Sequence, residues 1–476
     1  MNSYFAQDDW RVSPTFTLNL GFRYDYATWP YEAAGRQTNF DPVTGQKFTR
    51  VSTTHGQSLV EPDKNNWAPR VGFAWQIAPK TVLRSGYGRF YSLFERAGSE
   101  DQLEENLPWL VNNSVSAANN NTTASNIRLR TGINLSLDPS AVNLANIKLR
   151  AVDPHAQMPE IDQWNLGIQR ELPANMMATI DYVGTKGTHL SYLMNLNQVF
   201  INADGTASNV FPYTALGPIE FRSNGANSSY NGLETTIEKR YSNGLAFRTS
   251  YTFAHAIDEA QEHLFSGGSN SFLQNSRDIR SQRGRSDSDY RHRVVASYDY
   301  ELPFGQGKQF LTDGPLAYII GGWRTGGILT LRTGRPFTIF ASANNNALGG
   351  PRVGGMVNSF ANCLSDPQVD VNRIYSGGAY FSPAAFAAPV SGHLGNCGRN
   401  TVEGPGLTDF DLALARTFPL MGEGRNLEFR WEVFNALNTP QFGLPGNNVS
   451  SSGNFGKITS LAGDPRVMQF ALKFYY

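Results

Sequence analysis

Arg466 to Tyr476 reads RVMQFALKFYY and closes the chain. Met468, Phe470, Leu472, Phe474 and Tyr476 alternate with Gln469, Ala471, Lys473 and Tyr475. Successive side chains of a strand point to opposite faces, so an extended backbone here has one apolar and one wetter face. A closing strand with an apolar band and an aromatic end is what a transmembrane β-barrel offers to lipid and to the membrane interface. The last strand of a soluble all-β domain is the competing account, and one strand alone does not separate the two.

Working outward, the same period recurs. Phe16, Leu18, Leu20, Phe22 and Tyr24 alternate with Thr17, Asn19, Gly21, Arg23 and Asp25, after a first candidate strand at Ser3 to Arg11. Val71, Phe73, Trp75 and Ile77 oppose Arg70, Gly72 and Gln76. Leu83, Tyr87 and Tyr91 share a face of a strand expected over Thr81 to Phe94, against Arg84 and two glycines. Later strands are expected around Trp164, Ile180, Leu233, Phe247, Val294, Gly321 to Phe340, Phe410 and Leu427. An Asn243-Gly244 pair marks one hairpin turn, and Met421-Gly422-Glu423-Gly424 marks another.

About thirteen strands result, each near the ten residues a tilted barrel strand needs. Their connections alternate short and long along nearly the whole chain. That parity is the barrel pattern of short periplasmic turns and longer outer loops. It predicts a transmembrane, antiparallel, up-and-down β-barrel. A closed bacterial single-chain barrel uses an even strand count. The expectation is therefore that residues 1–476 are the C-terminal portion of a larger barrel.

Composition agrees. Of 476 residues, 17% are charged and 12% aromatic, with a net charge of zero. No bulk electrostatic case exists for a nucleic-acid partner. Mean hydropathy is −0.37, and no run of about 18 apolar residues offers a transmembrane helix. The start, MNSYFAQDDW, has neither the basic region nor the apolar core of a signal peptide. Cys363 and Cys397 lie in one loop segment. Their pairing would suit an oxidising compartment, and two unpaired thiols remain the alternative, because spacing alone fixes nothing.

The alternation makes a physical demand. A lipid-facing Arg or Lys at the bilayer centre costs about 2–4 kcal/mol. Arg23, Arg70, Arg84, Glu234, Glu301, Arg430 and Glu432 all fall on polar faces and are expected to look into a watery lumen. Arg89 shares a face with Tyr87 and Tyr91, so it must sit near a strand end and snorkel.

Several segments together resemble TonB-dependent outer-membrane receptors of the Oar-like, carboxypeptidase-regulatory-like-domain-containing branch. They include QDDWRVSPTFTLNLGFRYD from Gln7, NNWAPRVGFAW from Asn65, QWNLGIQRELP from Gln163 and DYVGTKGTHL from Asp181. YNGLETTIEKRYSNGLAFRTSYTFAHAID from Tyr230, RHRVVASYDYELPFG from Arg291, RWEVFNALNTPQFG from Arg430 and the closing stretch complete the set. The resemblance implies a 22-stranded barrel around an N-terminal plug. It implies that plug, TonB box, signal peptide and first strands are absent from this sequence. It also implies a Gram-negative outer-membrane location, with membrane lipid, the barrel assembly machinery, the TonB complex and an extracellular ligand as partners. Phe470, Leu472, Phe474 and Tyr476 match the signal that the assembly machinery reads.

No sequence pattern for catalysis stands out. G-x-S-x-G, H-E-x-x-H, C-x-x-C and P-loop patterns are missing, so neither an enzyme nor a cofactor is expected. His255 and His263 are the nearest histidine pair singled out, and loop solvation outweighs metal binding there. Asp287 and Asp289 lack calcium-loop spacing and read as a charged rim. Loop aromatics (Trp29, Tyr31, Trp109, Phe200, Phe211, Tyr213, Phe381) suit either loop packing or stacking on a ligand. The expected function is energy-coupled uptake of a large or scarce ligand, such as an oligosaccharide, peptide or siderophore. The alternative is a barrel serving adhesion or surface organisation without transport.

Overall fold

The computed structural model describes residues 2–52, 55–92, 103–110, 144–260, 272–349, 357–420 and 425–476. One antiparallel sheet dominates. Thirteen strands follow one another in it, each paired with its sequence neighbours. They are β1 (Asn2–Ser13), β2 (Phe16–Tyr26), β3 (Trp67–Ala78), β4 (Thr81–Tyr91), β5 (Glu160–Leu172), β6 (Met176–Asn195) and β7 (Ile219–Ser242). Then come β8 (Leu245–Asp258), β9 (His292–Glu301), β10 (Trp323–Arg332), β11 (Leu407–Pro419), β12 (Asn426–Phe434) and β13 (Val467–Tyr475). Among the described residues, β1 and β13 are the two edges of the sheet.

The meander puts the short turns on one rim and the long connections on the other, except that the longer β9–β10 connection, 302–322, lies with the short turns. The β7–β8 turn shows the local chemistry. Asn243 and Gly244 both have positive φ, 52° and 77°, which matches the twist of the flanking strands.

Register decides what each face carries, because directly paired residues point the same way. Phe73, Ser85, Leu166, Tyr182, Leu233 and Phe253 stand in one row across β3 to β8. Arg84, Gly167, Asp181, Glu234, Thr252 and Arg293 form a row on the opposite face of β4 to β9. The apolar row is open to the surroundings, with Leu166 51% and Leu233 42% exposed. Among the described residues, no second sheet covers it.

The buried apolar core lies elsewhere. Its clusters sit at the long-connection rim. One joins Phe337, Ile339, Phe381, Phe386 and Phe455 from the connections 333–406 and 435–466. A second joins Trp29, Phe48, Leu59, Val60, Leu103, Val152 and Ala156 from 27–66 and 92–159. A third packs Phe40, Leu149 and Ala151 on Ile219 and Phe221 at the start of β7. The connections thus fold into a cap with its own interior.

The structure departs from the sequence reading in particular places. The loop expected to end near Ser229 ends ten positions earlier, because β7 begins at Ile219. With β6 running to Asn195, this hairpin outgrows the wall and supports the cap. The extension carries a parallel partner strand, Leu149–Val152, that alternation could not reveal. β4 ends at Tyr91, short of Phe94, which lies outside the described residues. The strand expected over Gly321 to Phe340 divides into Trp323–Arg332 in the wall and a separate two-residue strand, Pro336–Phe337, paired with Val402–Glu403. The predicted turn Met421–Gly424 lies outside the described residues.

A short helix, α1 (Gly314–Ile320), interrupts the β9–β10 connection on the short-turn rim. Its Leu316, Tyr318 and Ile319 are exposed. No helix among the described residues is long and apolar enough to cross a membrane, which says nothing about a barrel.

Candidate functional site

The polar face is built from rows of small residues and charges. Gly167 shows why small residues are needed: a Cβ there would lie 1.6 Å from Asp181 Oδ1 on the neighbouring strand. Among the described residues, open hollows lie along this face. One of about 640 Å³ is lined by Glu238, Arg248, Asp299, Asp411, Arg430 and Glu432. These residues come from strands β7 to β12, so strands far apart in the sheet border one space. That requires the sheet to curl, with its polar side concave.

The predicted polar-face residues separate into groups. Glu301, Arg324, Ala415 and Arg430 stand in one row of β9 to β12, and Glu432 is in the adjoining row with Asp299. Arg430 Nε donates to Glu432 Oε1 at 2.6 Å, and Lys308 Nζ donates to Glu301 Oε2 at 2.7 Å. Arg324 and Asp299 form a further pair there, which the sequence reading did not single out. Arg84 on β4 and Glu234 on β7 share another row, with β5 and β6 between them. Arg70 lies over the Phe90 ring, 4.6 Å from its centroid. Arg23 Nε donates to Asp25 Oδ1 at 2.8 Å, nearer the edge of the sheet. The structure therefore gathers Glu301, Arg430 and Glu432, and keeps the others apart.

Arg89 sits at the long-connection end of β4. Its guanidinium donates to both oxygens of Asp162, at 2.9 and 3.1 Å, and pairs with Glu160 at 3.0 Å. Tyr87 donates to the same Asp162 at 2.6 Å.

Above the wall, the cap is rigid in covalent and polar terms. Cys363 and Cys397 are joined by a disulfide, with 5.1 Å between their Cα atoms. Arg399, 5% exposed, donates to the Gln282 and Asp258 carbonyls at 2.9 and 2.8 Å and pairs with the Asp258 carboxylate. Burial pulls its pKa down to about 10. Asp289 is not a rim residue. It is 1% exposed and accepts from Ala256 N at 2.8 Å and from Arg285 Nε at 2.7 Å. Its third partner is His255, at 3.1 Å. The pairing of His255 with His263 lies outside the described residues. Asp287 accepts from Asn400 Nδ2 at 2.6 Å.

The loop aromatics divide as well. Trp29 and Phe381 are buried in the cap clusters. Tyr213 meets the Phe40 ring edge-on and donates to the Pro42 carbonyl at 2.8 Å. Phe211 is half-buried. Tyr31, Trp109 and Phe200 remain exposed, Phe200 beneath the Arg277 guanidinium at 4.5 Å.

An open-faced apolar wall, a concave polar face and a folded cap on one rim are now in view. A family model described as an outer membrane beta barrel domain matches residues 1–469. The chain belongs to this family. Among solved structures, the outer membrane transporter YddB from Escherichia coli is 12% identical, with a TM-score of 0.51. That match covers 99% of this chain and 44% of that one. The ferripyoverdine receptor of the Pseudomonas aeruginosa outer membrane is 10% identical, TM-score 0.46, over 100% of this chain and 38% of that one. The ferric citrate transporter FecA is 10% identical, TM-score 0.43, over 99% and 44%. At these identities the likeness is one of fold. The chain spans less than half the length of each of these structures. A search of curated proteins returns no match.

In an outer-membrane β-barrel protein the exposed apolar rows face lipid. Two of the cations on that face then have a reason for their positions. Lys239, opposite Phe247, turns its ammonium back to the Ser242 and Leu245 carbonyls, at 2.7 and 3.0 Å, at the short turn. Arg416, opposite Trp323 and Phe429, donates to the Ile319 carbonyl at 2.7 Å and lies over the Phe418 ring. Both leave the bilayer centre for its short-turn edge. Asp8, opposite Leu20 on the edge strand, is a departure from this pattern.

Proposed function

We propose that this chain is part of an energy-coupled, TonB-dependent receptor barrel that takes up a large or scarce ligand. In this proposal the ligand is an oligosaccharide, a peptide or a siderophore. The observation that carries this reading is the pairing of a folded outer cap with a concave polar wall beneath it. A simple diffusion pore has no use for a cap with its own apolar cores and disulfide. A capture device does, because preordered loops lose less conformational entropy when they close on a ligand. The fold likeness to an outer membrane transporter supports the same reading.

In this proposal Arg23, Arg70, Arg84, Glu234, Glu301, Arg430 and Glu432 face the water-filled lumen. Residues 1–476 form the C-terminal part of a larger barrel. Strand edges left open in lipid would expose unpaired backbone groups, each costly where no water can reach, so β1 and β13 need neighbours. The remaining strands, a plug and a coupling segment would be encoded outside this sequence. Phe470, Leu472, Phe474 and Tyr476 act as the signal read by the barrel assembly machinery. No catalytic role is proposed.

Deletion of the whole gene tests the reading. The expected result is a growth defect on one scarce nutrient, reproduced when the energy coupler is removed and cured by restoring the gene. Normal growth on every nutrient, with surface attachment lost, would replace uptake with adhesion.

A further inference from the structure

Three side chains from two outer connections converge at the surface of the cap. His55 Nδ1 lies 2.9 Å from Glu61 Oε1, and His155 Nδ1 lies 3.1 Å from Glu61 Oε2. The two imidazole rings meet edge to face, 5.3 Å between centroids. The three ligand atoms lie within 4.8 Å of one another. We propose that His55, Glu61 and His155 form a binding site for a divalent transition-metal ion of the zinc class, which staples connection 27–66 to connection 92–159.

The donor set selects the metal. Two imidazoles and a carboxylate suit Zn²⁺ and its borderline neighbours, whereas Mg²⁺ and Ca²⁺ prefer oxygen alone. Metal–ligand bonds of about 2.0–2.2 Å place tetrahedral ligand atoms about 3.4 Å apart. In the structure the Glu61 carboxylate bridges the two rings, one oxygen 2.9 Å from His55 Nδ1 and the other 3.1 Å from His155 Nδ1. A turn of the carboxylate that presents one oxygen to both rings, with ligand atoms now within 4.8 Å drawn to that spacing, admits the ion. Both histidines present Nδ1, so binding requires each to give up a proton from that nitrogen or to carry it on the other. Three protein ligands leave a coordination position for water.

The positions of these residues are not left to chance. Glu61 directly follows Leu59 and Val60, both at most 1% exposed in the second cap cluster. His155 directly precedes Ala156 of the same cluster. The His55 ring packs on Phe48, 5.3 Å between centroids. Glu61 N donates to the Pro154 carbonyl at 2.8 Å, and Met158 N donates to Asp63 Oδ2 at 2.9 Å. One apolar core thus fixes the base of each ligand, and two cross-links hold the segments side by side. Plain surface hydrogen bonding is the bland account. It gives no reason for two histidines 94 and 6 positions from one glutamate to aim the same ring nitrogen at it.

The test titrates ZnCl₂ into the untagged product of the whole gene, folded in detergent or lipid, after removal of metals with a chelator. One ion per chain is expected, with no competition from Mg²⁺. The variants H55A and H155A, and the near-isosteric E61Q, should each weaken binding by at least about tenfold, as loss of even an outer-shell partner does. Co²⁺ substitution supplies a second readout, an absorption band of low-symmetry coordination that the double variant H55A/H155A lacks. Zn²⁺ should also slow proteolytic cleavage within 27–66 in the parent chain and not in that double variant. Strand content by circular dichroism should be unchanged throughout. Absence of one-per-chain binding, or binding that survives H55A/H155A, overturns the proposal.

Discussion

The wall and the cap obey opposite rules. In the wall, Leu166, Leu233, Phe470 and Leu472 are 42 to 69% exposed and still belong where they are. In the cap, Phe381, Ile339 and Leu59 are fully buried. One chain uses lipid as the solvent for the first set and its own loops for the second. Apolar burial, the usual signature of folding, thus marks chiefly the cap, and in the wall reaches single residues such as Ala68 and Val433. The wall is held by its ladder of backbone hydrogen bonds and by lipid. The two regions should therefore fail separately.

The largest expected separation comes from the cap core. Phe381 touches Phe386 and Phe455 with ring centroids 5.4 and 5.2 Å away. Phe381→Ala should cost the cap about 3–5 kcal/mol. Protease cleavage within 357–406 should rise steeply, while strand content by circular dichroism stays level. Simultaneous melting of wall and cap would show that they are one cooperative unit. Next in size is the disulfide, whose cysteines lie 34 positions apart. Replacing both by serine should cost about 2–4 kcal/mol, again read as cap cleavage without loss of strands.

The wall has its own test. Leu166 stands at the middle of β5 between Ser85 and Tyr182 on the lipid face. Leu166→Arg should destabilise the barrel in lipid by about 2–4 kcal/mol, the cost of a cation at that depth. Glu234→Ala, on the concave face of β7, should fall within about 0.5 kcal/mol of the parent. Equilibrium unfolding in lipid vesicles compares the two. Equal effects would mean that both faces see the same surroundings, which ends the barrel assignment.

The same contrast explains what could be read before any coordinates. Strand periodicity is local, so Phe16 to Tyr24 and Leu427 to Val433 announce their faces within one segment. The parity of turns and loops then orders the strands. The cap has no such grammar. Phe337, Phe381 and Phe455 meet from connections separated by other strands, and their neighbours in sequence show no period. The extension of β7 back to Ile219 was hidden for a related reason. Its residues Glu220, Arg222 and Asn224 are polar yet buried against the cap, so hydrophobic alternation breaks where the strand leaves the membrane. The His55, Glu61 and His155 convergence was missed because nothing in the sequence links position 55 to position 155.

The smallest expected effect is a pH response confined to the cap. Hydrogen bonds from His55 and then His155 hold the Glu61 carboxyl below the ordinary carboxylate range. A lowered folded pKa means that the stabilisation is complete above the unfolded value of about 4.3 and is lost as pH falls through the folded value. The groups facing Glu61 are His55 and His155, with Asp41 farther off along the first connection. Glu61 is half exposed, so solvent screens most of the gain. In metal-free buffer, cleavage within 27–66 should therefore rise slightly below about pH 4, and E61Q should abolish that rise. An acid-stable protease read by mass spectrometry measures it. A large acid effect that spreads to the strands would tie the junction of these two loops to the wall, and the separation between the regions would no longer hold there.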